Sequence, residues 1–398
     1  MRIFPPHVEQ ALAYDPPGSW MPPLPPGCIR LSAGYPFPES VPAAELAQAT
    51  AALVAAEGDL PFHYLGSPSM NRLAELLAAR CAQRGMPVGQ GELLVTAGAA
   101  QALDLAARAL LGPADLVAVE APTYMEALEI FRNYTPAIVG YPVDGDGLQT
   151  DLLAADLAAR RAAGRPLPRL LYTIASFQNP TGATLPPERR QQLLALAAEY
   201  DFWILEDDAY GELAYGPVPT PLRAMPGGDR VIHVGSLSKL IAPGLRVGWA
   251  LARPEIIRAM GLYKKDLEAP FAMAVTARYL EGIDLEQRLA WLRAQYRARR
   301  DHLLGALRSQ MPEWVSWTEP QGGFFVWLHT PGVDTAALLD RALQAGVAYV
   351  PGKYFYFGGE PRDHLRLSFS YLPPEQVERG VVFLAGVLRR SGRGFPGT

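Results

Sequence analysis

Short apolar runs alternate with helical stretches between about residue 90 and residue 251, and this pattern predicts an α/β fold. Six apolar runs have the length of strands buried on both faces: Leu93–Thr96, Leu116–Glu120, Leu170–Ala175, Phe202–Glu206, Val231–Gly235 and Val247–Leu251. The stretches between them have helical composition or periodicity: Ala100–Leu111, Pro122–Arg132, Asp151–Ala163 and Pro186–Glu199. Such alternation favours a mainly parallel sheet with helices on both sides.

The pattern changes after residue 285. A long charged helix is predicted at Leu285–Gln310, and the strands predicted after it are Trp314–Trp317, Gly323–Leu328 and Leu365–Ser370. A chain of 398 residues is also too long for one small core. We therefore predict an N-terminal arm with part of a small domain (1–57), a large domain (58–284) and a C-terminal small α+β domain (285–398).

Residues 1–40 are rich in proline, with Pro22-Pro23 and Pro25-Pro26 close to Trp20. Proline lacks a backbone donor, so the stretch is predicted to be an extended arm rather than a regular helix or a central strand. The arm could be a proline-rich ligand for another protein or could lie on its own protein. We favour the second reading.

Composition excludes some classes of function. A net charge of -4 leaves no basic surface for nucleic acid, and no apolar run reaches membrane-spanning length. Cys28 and Cys81 have no metal or redox spacing, so we expect free thiols in a reducing cytoplasm. The six histidines form no metal-binding motif, and no metal site is predicted.

Lys239 stands out because lysine is scarce in this chain, which contains four: Lys239, Lys264, Lys265 and Lys353. Arginine supplies almost every other positive charge. A primary amine can lose its proton and form a Schiff base, whereas a guanidinium cannot. Lys239 is therefore the candidate nucleophile.

Polar residues follow two of the predicted strands. Asp207 and Tyr210 come after Phe202–Glu206, at the kind of strand end where ligands of open α/β sheets bind. Because neighbouring side chains of a strand point to opposite faces, only one of Asp207 and Asp208 should face the site. Asn179-Pro180-Thr181-Gly182 follows another strand, and on its own it could be a plain turn.

Two further features are typical of anion binding. Gly98, Ala99 and Ala100 join a strand to a helix, where free backbone N–H groups can hold a phosphate. The hydroxyls of Ser236 and Ser238 could donate to the same phosphate, and the Arg246 guanidinium could bind it through two hydrogen bonds. Arg366 lies within an apolar strand and needs an anionic partner, either an acidic side chain or a substrate carboxylate.

Together these residues resemble the fold-type-I pyridoxal-phosphate aminotransferases of class I/II, in particular the subgroup of 2-aminoadipate and kynurenine aminotransferases. The similarity covers about residues 30–385. Its motifs occur in the family's order: Gly34 with Pro36 and Pro38, Tyr64, Gly98, Pro122-Thr123-Tyr124, Asn179-Pro180-Thr181-Gly182, Asp207 with Tyr210, Ser236-Leu237-Ser238-Lys239, Pro243-Gly244-Leu245-Arg246, Gly322-Gly323-Phe324-Phe325-Val326-Trp327 and Arg366-Leu367-Ser368.

The resemblance implies an aspartate-aminotransferase-like fold, with a seven-stranded, mainly parallel sheet in the large domain, which would bind pyridoxal 5′-phosphate. It implies ping-pong transfer of an amino group between an L-amino acid and a 2-oxo acid. The amino acid would be of the 2-aminoadipate, aromatic or aliphatic type, and the expected oxo acid is 2-oxoglutarate. A homodimer is expected as well. Tyr35, Phe37 and Trp20, near the arm, could line an apolar pocket for the substrate side chain.

The resemblance also implies a role for each matching residue. Lys239 would bind the cofactor as a Schiff base, Asp207 would keep the pyridine nitrogen protonated, and Tyr124 would stack on the ring. Tyr210 and Asn179 would donate to the phenolic oxygen of the ring. The phosphate would be held by Gly98, Ala99, Ala100, Ser236, Ser238, Arg246 and, from the partner subunit, Tyr64. The substrate would be bound by Gly34, Asn179 and Arg366.

The chain departs from the subgroup at two places. Gly98-Ala99-Ala100-Gln101 stands where the subgroup usually has Gly-Ser-Gln-Gln, so one phosphate hydroxyl is missing. We expect that loss to cost about 1.5–3 kcal/mol of cofactor affinity. The stretch from His63 to Ser69 lacks the usual glycine five residues after Tyr64, so the turn there must differ.

Three alternatives share the cofactor. A C–S lyase or a decarboxylase would keep nearly all of these motifs, because a fold does not determine a reaction. A sensor domain of a transcription regulator would follow an N-terminal winged helix. We expect the short proline-rich arm to leave no room for one, which disfavours the regulator.

Overall fold

The computed structural model describes residues 3–4, 6–14, 18–265 and 269–391. Strand β1 (Ile29–Arg30) belongs to the smaller domain. The next eight strands form one sheet: β2 (Leu93–Thr96), β3 (Leu116–Ala121), β4 (Ile138–Asp144), β5 (Gly147–Leu148), β6 (Pro168–Thr173), β7 (Trp203–Asp207), β8 (Val231–Ser236) and β9 (Gly248–Leu251). Their spatial order is β2-β9-β8-β7-β6-β3-β4-β5.

The sheet is parallel except at two strands. Strand β9 runs antiparallel to both β8 and β2, and the two-residue β5 folds back on β4. The helices before residue 285 are α1 (Pro6–Ala11), α2 (Ala43–Glu57), α3 (Pro68–Gln83), α4 (Ala99–Leu110), α5 (Met125–Arg132), α6 (Thr150–Ala162), α7 (Pro187–Tyr200), α8 (Pro254–Tyr263) and α9 (Pro270–Glu281). The predicted fold, a mainly parallel sheet of seven principal strands flanked by helices, is confirmed.

Strand β4 was missing from the predicted strands. It is paired on one side with β3 and on the other with the short β5. An edge position of this kind exposes part of the strand: Ile138 and Tyr141 are buried, while Gly140 and Pro142 are exposed. The sequence therefore lacks the continuous apolar run by which the central strands were found.

The smaller domain begins with helix α10 (Leu285–Gln310), whose bounds are those predicted. Its other elements are β10 (Ser316–Trp317), β11 (Phe325–His329), α11 (Thr335–Gln344), β12 (Val347–Ala348), β13 (Val350–Pro351), β14 (His364–Ser368) and α12 (Pro374–Ser391). Strands β10-β11-β14-β13 form an antiparallel sheet, and β12 pairs with β1. The domain boundaries stay predictions, and residues 392–398 of the predicted small domain lie outside the described residues.

The proline-rich arm differs from the extended chain that was predicted. Helix α1 lies within it and starts at Pro6, because proline at the first position of a helix gives up only a backbone donor that would have no helical partner. The arm does lie on its own protein, as favoured: the Gly18 N–H donates to Glu129 Oε1 of α5 at 3.2 Å. Residues 1, 2, 5 and 15–17 of the predicted arm lie outside the described residues.

Three sequence expectations concern the surface and the ligating side chains. Within the described ranges, no helix is long and apolar enough to cross a membrane. Cys28 and Cys81 are free thiols, as predicted. The structure places His329, Asp363 and His364 within 4.8 Å of one another, although no histidine motif marks them. The imidazole rings of His329 and His364 are stacked, with their centroids 4.5 Å apart and their planes at 16°.

Candidate active site

The predicted site residues meet at one edge of the large sheet. Asp207 ends β7, Ser236 ends β8, and Gly98 follows β2. These strands run in the same direction, so their carboxyl ends share an edge. Strand β9 runs the opposite way, and Arg246 therefore reaches the same edge from just before the start of that strand.

Lys239 is half-buried between the two domains, and its Nζ donates to the carbonyl of Gly34 at 3.0 Å. Burial lowers the pKa of this amine to about 8. Among the nearby charges, Glu126 raises the pKa, while Arg366 lowers it. About a tenth of the amine is therefore neutral at pH 7, far more than for an ordinary lysine, and the neutral amine is the form that a nucleophile or a proton acceptor needs.

Asp207 is buried, and its Oδ2 accepts a hydrogen bond from the Tyr172 hydroxyl at 2.9 Å. Its Oδ1 is buried without a hydrogen-bond partner in the described chain. Burial is the main reason why the pKa of this carboxyl is raised to about 6. A cationic ring nitrogen at Oδ1 would satisfy this oxygen and stabilise the carboxylate, so Asp207 fits the pyridine nitrogen of the predicted cofactor.

Asp208 points away from the site, as the alternation of side chains predicts. Its Oδ2 lies 2.6 Å from Nη2 of Arg84, on the other face of the sheet. The neighbouring acids therefore have separate surroundings. Asp207 faces the cavity, whereas Asp208 belongs to a buried ion pair.

The part of the site predicted to hold the phosphate brings the backbone at Gly98 close to the Arg246 side chain. Gly98 has a φ of 85°, and a Cβ there would lie 2.5 Å from Nη2 of Arg246. This arginine donates to the Ala97 carbonyl at 2.9 Å, which holds its guanidinium beside the N-terminus of α4. Free N–H groups, a guanidinium and the nearby hydroxyls of Ser236 and Ser238 form a donor set that fits a phosphate dianion.

The remaining cofactor candidates close the same cavity, whose volume is about 140 Å³. Tyr210 is buried with its ring edge-to-face against Phe324 at 5.3 Å. The predicted residues that line this cavity are Ala99, Ala100, Tyr124, Asn179, Asp207, Tyr210, Ser236, Ser238, Lys239 and Arg246. Charged groups for a ring nitrogen and a phosphate, together with a free amine, fit pyridoxal phosphate.

A second cavity of about 120 Å³ adjoins the first and contains Arg366, Gly34 and Asn179. Arg366 is central in β14; its Nη1 donates to Asn179 Oδ1 at 2.9 Å and its Nη2 to the Ser32 carbonyl at 3.2 Å. Burial lowers its pKa to about 10. Within the described residues no carboxylate forms an ion pair with it, and its buried Nε has no hydrogen-bond partner, so an anion in this cavity would satisfy it.

Tyr64 is a predicted residue that the single chain does not bring to the site. Its side chain is 81% exposed and lines neither cavity. The usual glycine five residues after Tyr64 is replaced by Ser69, and Glu57 holds this stretch by accepting from the Ser67 hydroxyl at 2.7 Å and from the Ser69 backbone N–H at 3.2 Å. The predicted contact of Tyr64 with the phosphate of the partner subunit stays a prediction.

Several residues of the site were missed from the sequence. Glu126 lines both cavities, and Tyr172 orients Asp207. The one sequence signal for Glu126 was an acid two residues after Tyr124 of the Pro122-Thr123-Tyr124 motif. Arg30 of β1 and Met21 of the arm line the second cavity with no motif to mark them.

Three aromatic residues were candidates for an apolar side-chain pocket. Trp20 and Tyr35 do line the second cavity. Phe37 does not, and this part of the prediction was wrong. It is buried in the small-domain core with its ring 5.3 Å from Tyr296, because the chain turns inward into a short 3₁₀ helix at Pro38–Ser40.

Comparison with known proteins agrees with this geometry. The profile of the family described as aminotransferase class I and II matches residues 26–384. An aromatic-amino-acid aminotransferase of Thermococcus litoralis is 37% identical over 91% of this chain and 88% of its own length. A 2-aminoadipate transaminase of Thermus thermophilus is 35% identical over 94% and 91%. A kynurenine aminotransferase of Pyrococcus horikoshii, solved in complex with PMP, has a TM-score of 0.88 at 36% identity over 92% of each chain.

Transcription regulators are also among the relatives. A helix-turn-helix regulator of Bacillus subtilis is 30% identical over 91% of this chain, which covers 74% of the regulator. Shared ancestry therefore extends to proteins with a further domain.

Proposed function

This chain belongs to the class I and II aminotransferases, and we propose how its residues divide the work of amino-group transfer. It is a pyridoxal-phosphate enzyme. One observation carries the assignment of roles. The amine of Lys239, the partnerless Oδ1 of Asp207 and the guanidinium of Arg366 border one continuous cleft, although they come from three distant parts of the chain.

Lys239 is the base and the covalent anchor. When bound, pyridoxal phosphate withdraws electrons from the substrate's α-carbon and so makes its hydrogen acidic. The Lys239 amine, with its lowered pKa, takes that proton and later returns one. Asp207 supplies the negative charge that keeps the ring nitrogen protonated, and Tyr172 holds that carboxylate in place.

Arg366 orients the substrate. Its two bonds to Asn179 and Ser32 leave the buried Nε without a partner. A substrate α-carboxylate on this guanidinium would fix the amino acid with its α-hydrogen towards Lys239. Asn179 links the two ends of the site, because it holds Arg366 and also borders the cofactor cavity.

The backbone at Gly98–Ala100, with Ser236, Ser238 and Arg246, anchors the phosphate, and Tyr124 stacks on the ring. Tyr64 completes the phosphate site of a partner subunit in a cytoplasmic homodimer. A group of exposed apolar side chains near Tyr64 supports that arrangement, since such patches mark interaction surfaces: Leu60 (39% exposed), Phe62 (62%) and Leu65 (67%).

The amino donor is of the aromatic or 2-aminoadipate type, in line with the relatives, and the acceptor is 2-oxoglutarate. The test is the absorption spectrum of the purified protein with a panel of amino acids. Conversion of the bound cofactor by one amino acid, and its recovery with an oxo acid, supports transamination. Turnover that needs no amino acceptor would instead identify a lyase or decarboxylase, and a cofactor that never converts would identify a sensor.

A further inference from the structure

Two guanidinium groups border the substrate cavity, and the mechanism above uses one of them. Arg366 is assigned to the α-carboxylate, while Arg30 lines the same cavity without a role. We propose that Arg30 binds the second carboxylate of dicarboxylic substrates, and so determines which amino acids and oxo acids enter. This inference rests on the proposed function, because it concerns the same site.

Arg30 is held by a regular element. Its neighbours Ile29 and Leu31 are buried in the small-domain core, and alternation along β1 turns the Arg30 side chain the other way, towards the cavity. Pairing with Ala348 of β12 fixes its backbone. Two residues further on, the Ser32 carbonyl accepts from Arg366, so the same short segment carries one cation and positions the other.

The charge of Arg30 has no partner within the described chain. Its Nε is buried without a hydrogen bond, and no described carboxylate lies within ion-pair distance. Other partly buried arginines have partners, either a carboxylate, as Arg84 has in Asp208, or backbone carbonyls, as Arg288 has in those of Leu240 and Ser40. A half-buried cation without a counterion is unfavourable, and an anionic ligand in the cavity would remove that cost.

The position of Arg30 suits a distal group. Glu126, Asn179 and Lys239 line both the cofactor and the substrate cavities, so they lie at the junction where the reacting carbon must sit. Arg30 and Arg366 both line the substrate cavity and not the cofactor cavity. Arg366 is bonded to Asn179 at the junction, whereas Arg30 has no bond to a junction residue and lies with Trp20 and Tyr35. The side chain of a substrate extends in this direction, away from the cofactor.

Glu126 also affects which substrates the cavity accepts. Its carboxylate at the junction repels a second carboxylate placed near the cofactor, and thereby favours an extended substrate whose distal group reaches Arg30. Trp20 and Tyr35 offer apolar surface beside that cation for substrates with an aromatic side chain. One cavity can then accept both chemical classes, and Arg30 sets the balance between them.

The first experiment compares kcat/KM of the holoenzyme for glutamate and for phenylalanine. In Arg30→Gln the ratio of glutamate to phenylalanine should fall about tenfold or more, because a charge-assisted contact is lost. Arg30→Lys, which keeps the charge, should lose less. Arg379→Gln removes an exposed arginine of α12 and should change the ratio by less than about twofold. An unchanged ratio in Arg30→Gln would overturn the proposal.

Binding of unreactive acids to the holoenzyme provides a readout other than turnover. By calorimetry, Arg30→Gln should weaken glutarate about tenfold or more and butyrate by less than about twofold. Glu126→Gln should tighten glutarate, and weakening there would exclude the repulsion. Equal losses for both acids in Arg30→Gln would refute the role of Arg30. A wild type that binds glutarate through Arg30 but transaminates nothing would overturn the proposed function and leave this inference standing.

Discussion

The two adjoining cavities of the active site are built in different ways. The cofactor cavity is formed mainly by residues at or near the strand ends of one sheet, such as Asp207, Ser236 and Ala99. The substrate cavity is assembled from the N-terminal arm, strand β1, helix α5 and the small-domain sheet. The residues that would bind the cofactor are thus positioned by one sheet. The residues that would select the substrate are positioned by packing between distant segments.

Lys239→Ala should have the largest effect, because it removes the anchor and the proton acceptor of the cofactor cavity together. We expect turnover to fall by about 10⁴-fold or more. The far-ultraviolet circular dichroism spectrum should not change. Lys265→Ala, at an exposed lysine, serves as the matched control. A Lys239→Ala protein that retained full turnover would refute the assignment.

Asp207→Asn should come next. It removes a preorganised charge from the same cavity, and we expect kcat to fall about 10²–10³-fold with weaker cofactor binding. Asp208→Asn changes the same charge on the opposite face and breaks the Arg84 ion pair, so it should lower Tm more than it lowers kcat per folded molecule. Equal losses of kcat in the two variants would contradict the division of roles between these acids.

The pH dependence of cofactor capture tests the burial of Lys239. Its pKa is lowered from 10.5 to about 8, so the neutral amine increases as pH rises through about 8. The rate at which the apoenzyme combines with pyridoxal phosphate should rise about tenfold per pH unit below 8 and level off above it. Stopped-flow absorbance from pH 6.5 to 9.5 would measure this. A rate that still rises about tenfold per pH unit at pH 9.5, as expected for a free lysine with a pKa of about 10.4, would show that burial has no such effect.

Trp20→Ala should have the smallest effect, and the effect should be confined to substrate binding. It removes apolar surface that the arm contributes to the substrate cavity, so KM for an aromatic amino acid should rise about 5- to 30-fold. Cofactor affinity, measured by fluorescence titration of the apoenzyme, should change less than KM. A larger loss of cofactor affinity would mean that the arm supports both cavities.

The sequence predictions succeeded where a local pattern defines the element and failed where the surroundings of a residue decide its position. Helix α10 was predicted to the residue, and the central strands were found because each is a continuous apolar run between turns. Strand β4 was missed because an edge strand has exposed positions. Phe37 was a candidate for the apolar pocket, yet it lies in the core, since the direction of its side chain depends on the turn at Pro38–Ser40.

The sequence by itself determined the central strands, the helices between them and the chemical groups at the strand ends, because these depend on local patterns of apolar, turn-forming and polar residues. The tertiary structure decided which distant residues share a cavity. Arg30, Glu126 and Arg366 meet there although no spacing in the chain relates them. It also decided the lowered pKa of Lys239, since desolvation depends on everything packed around the amine and not on its neighbours in sequence.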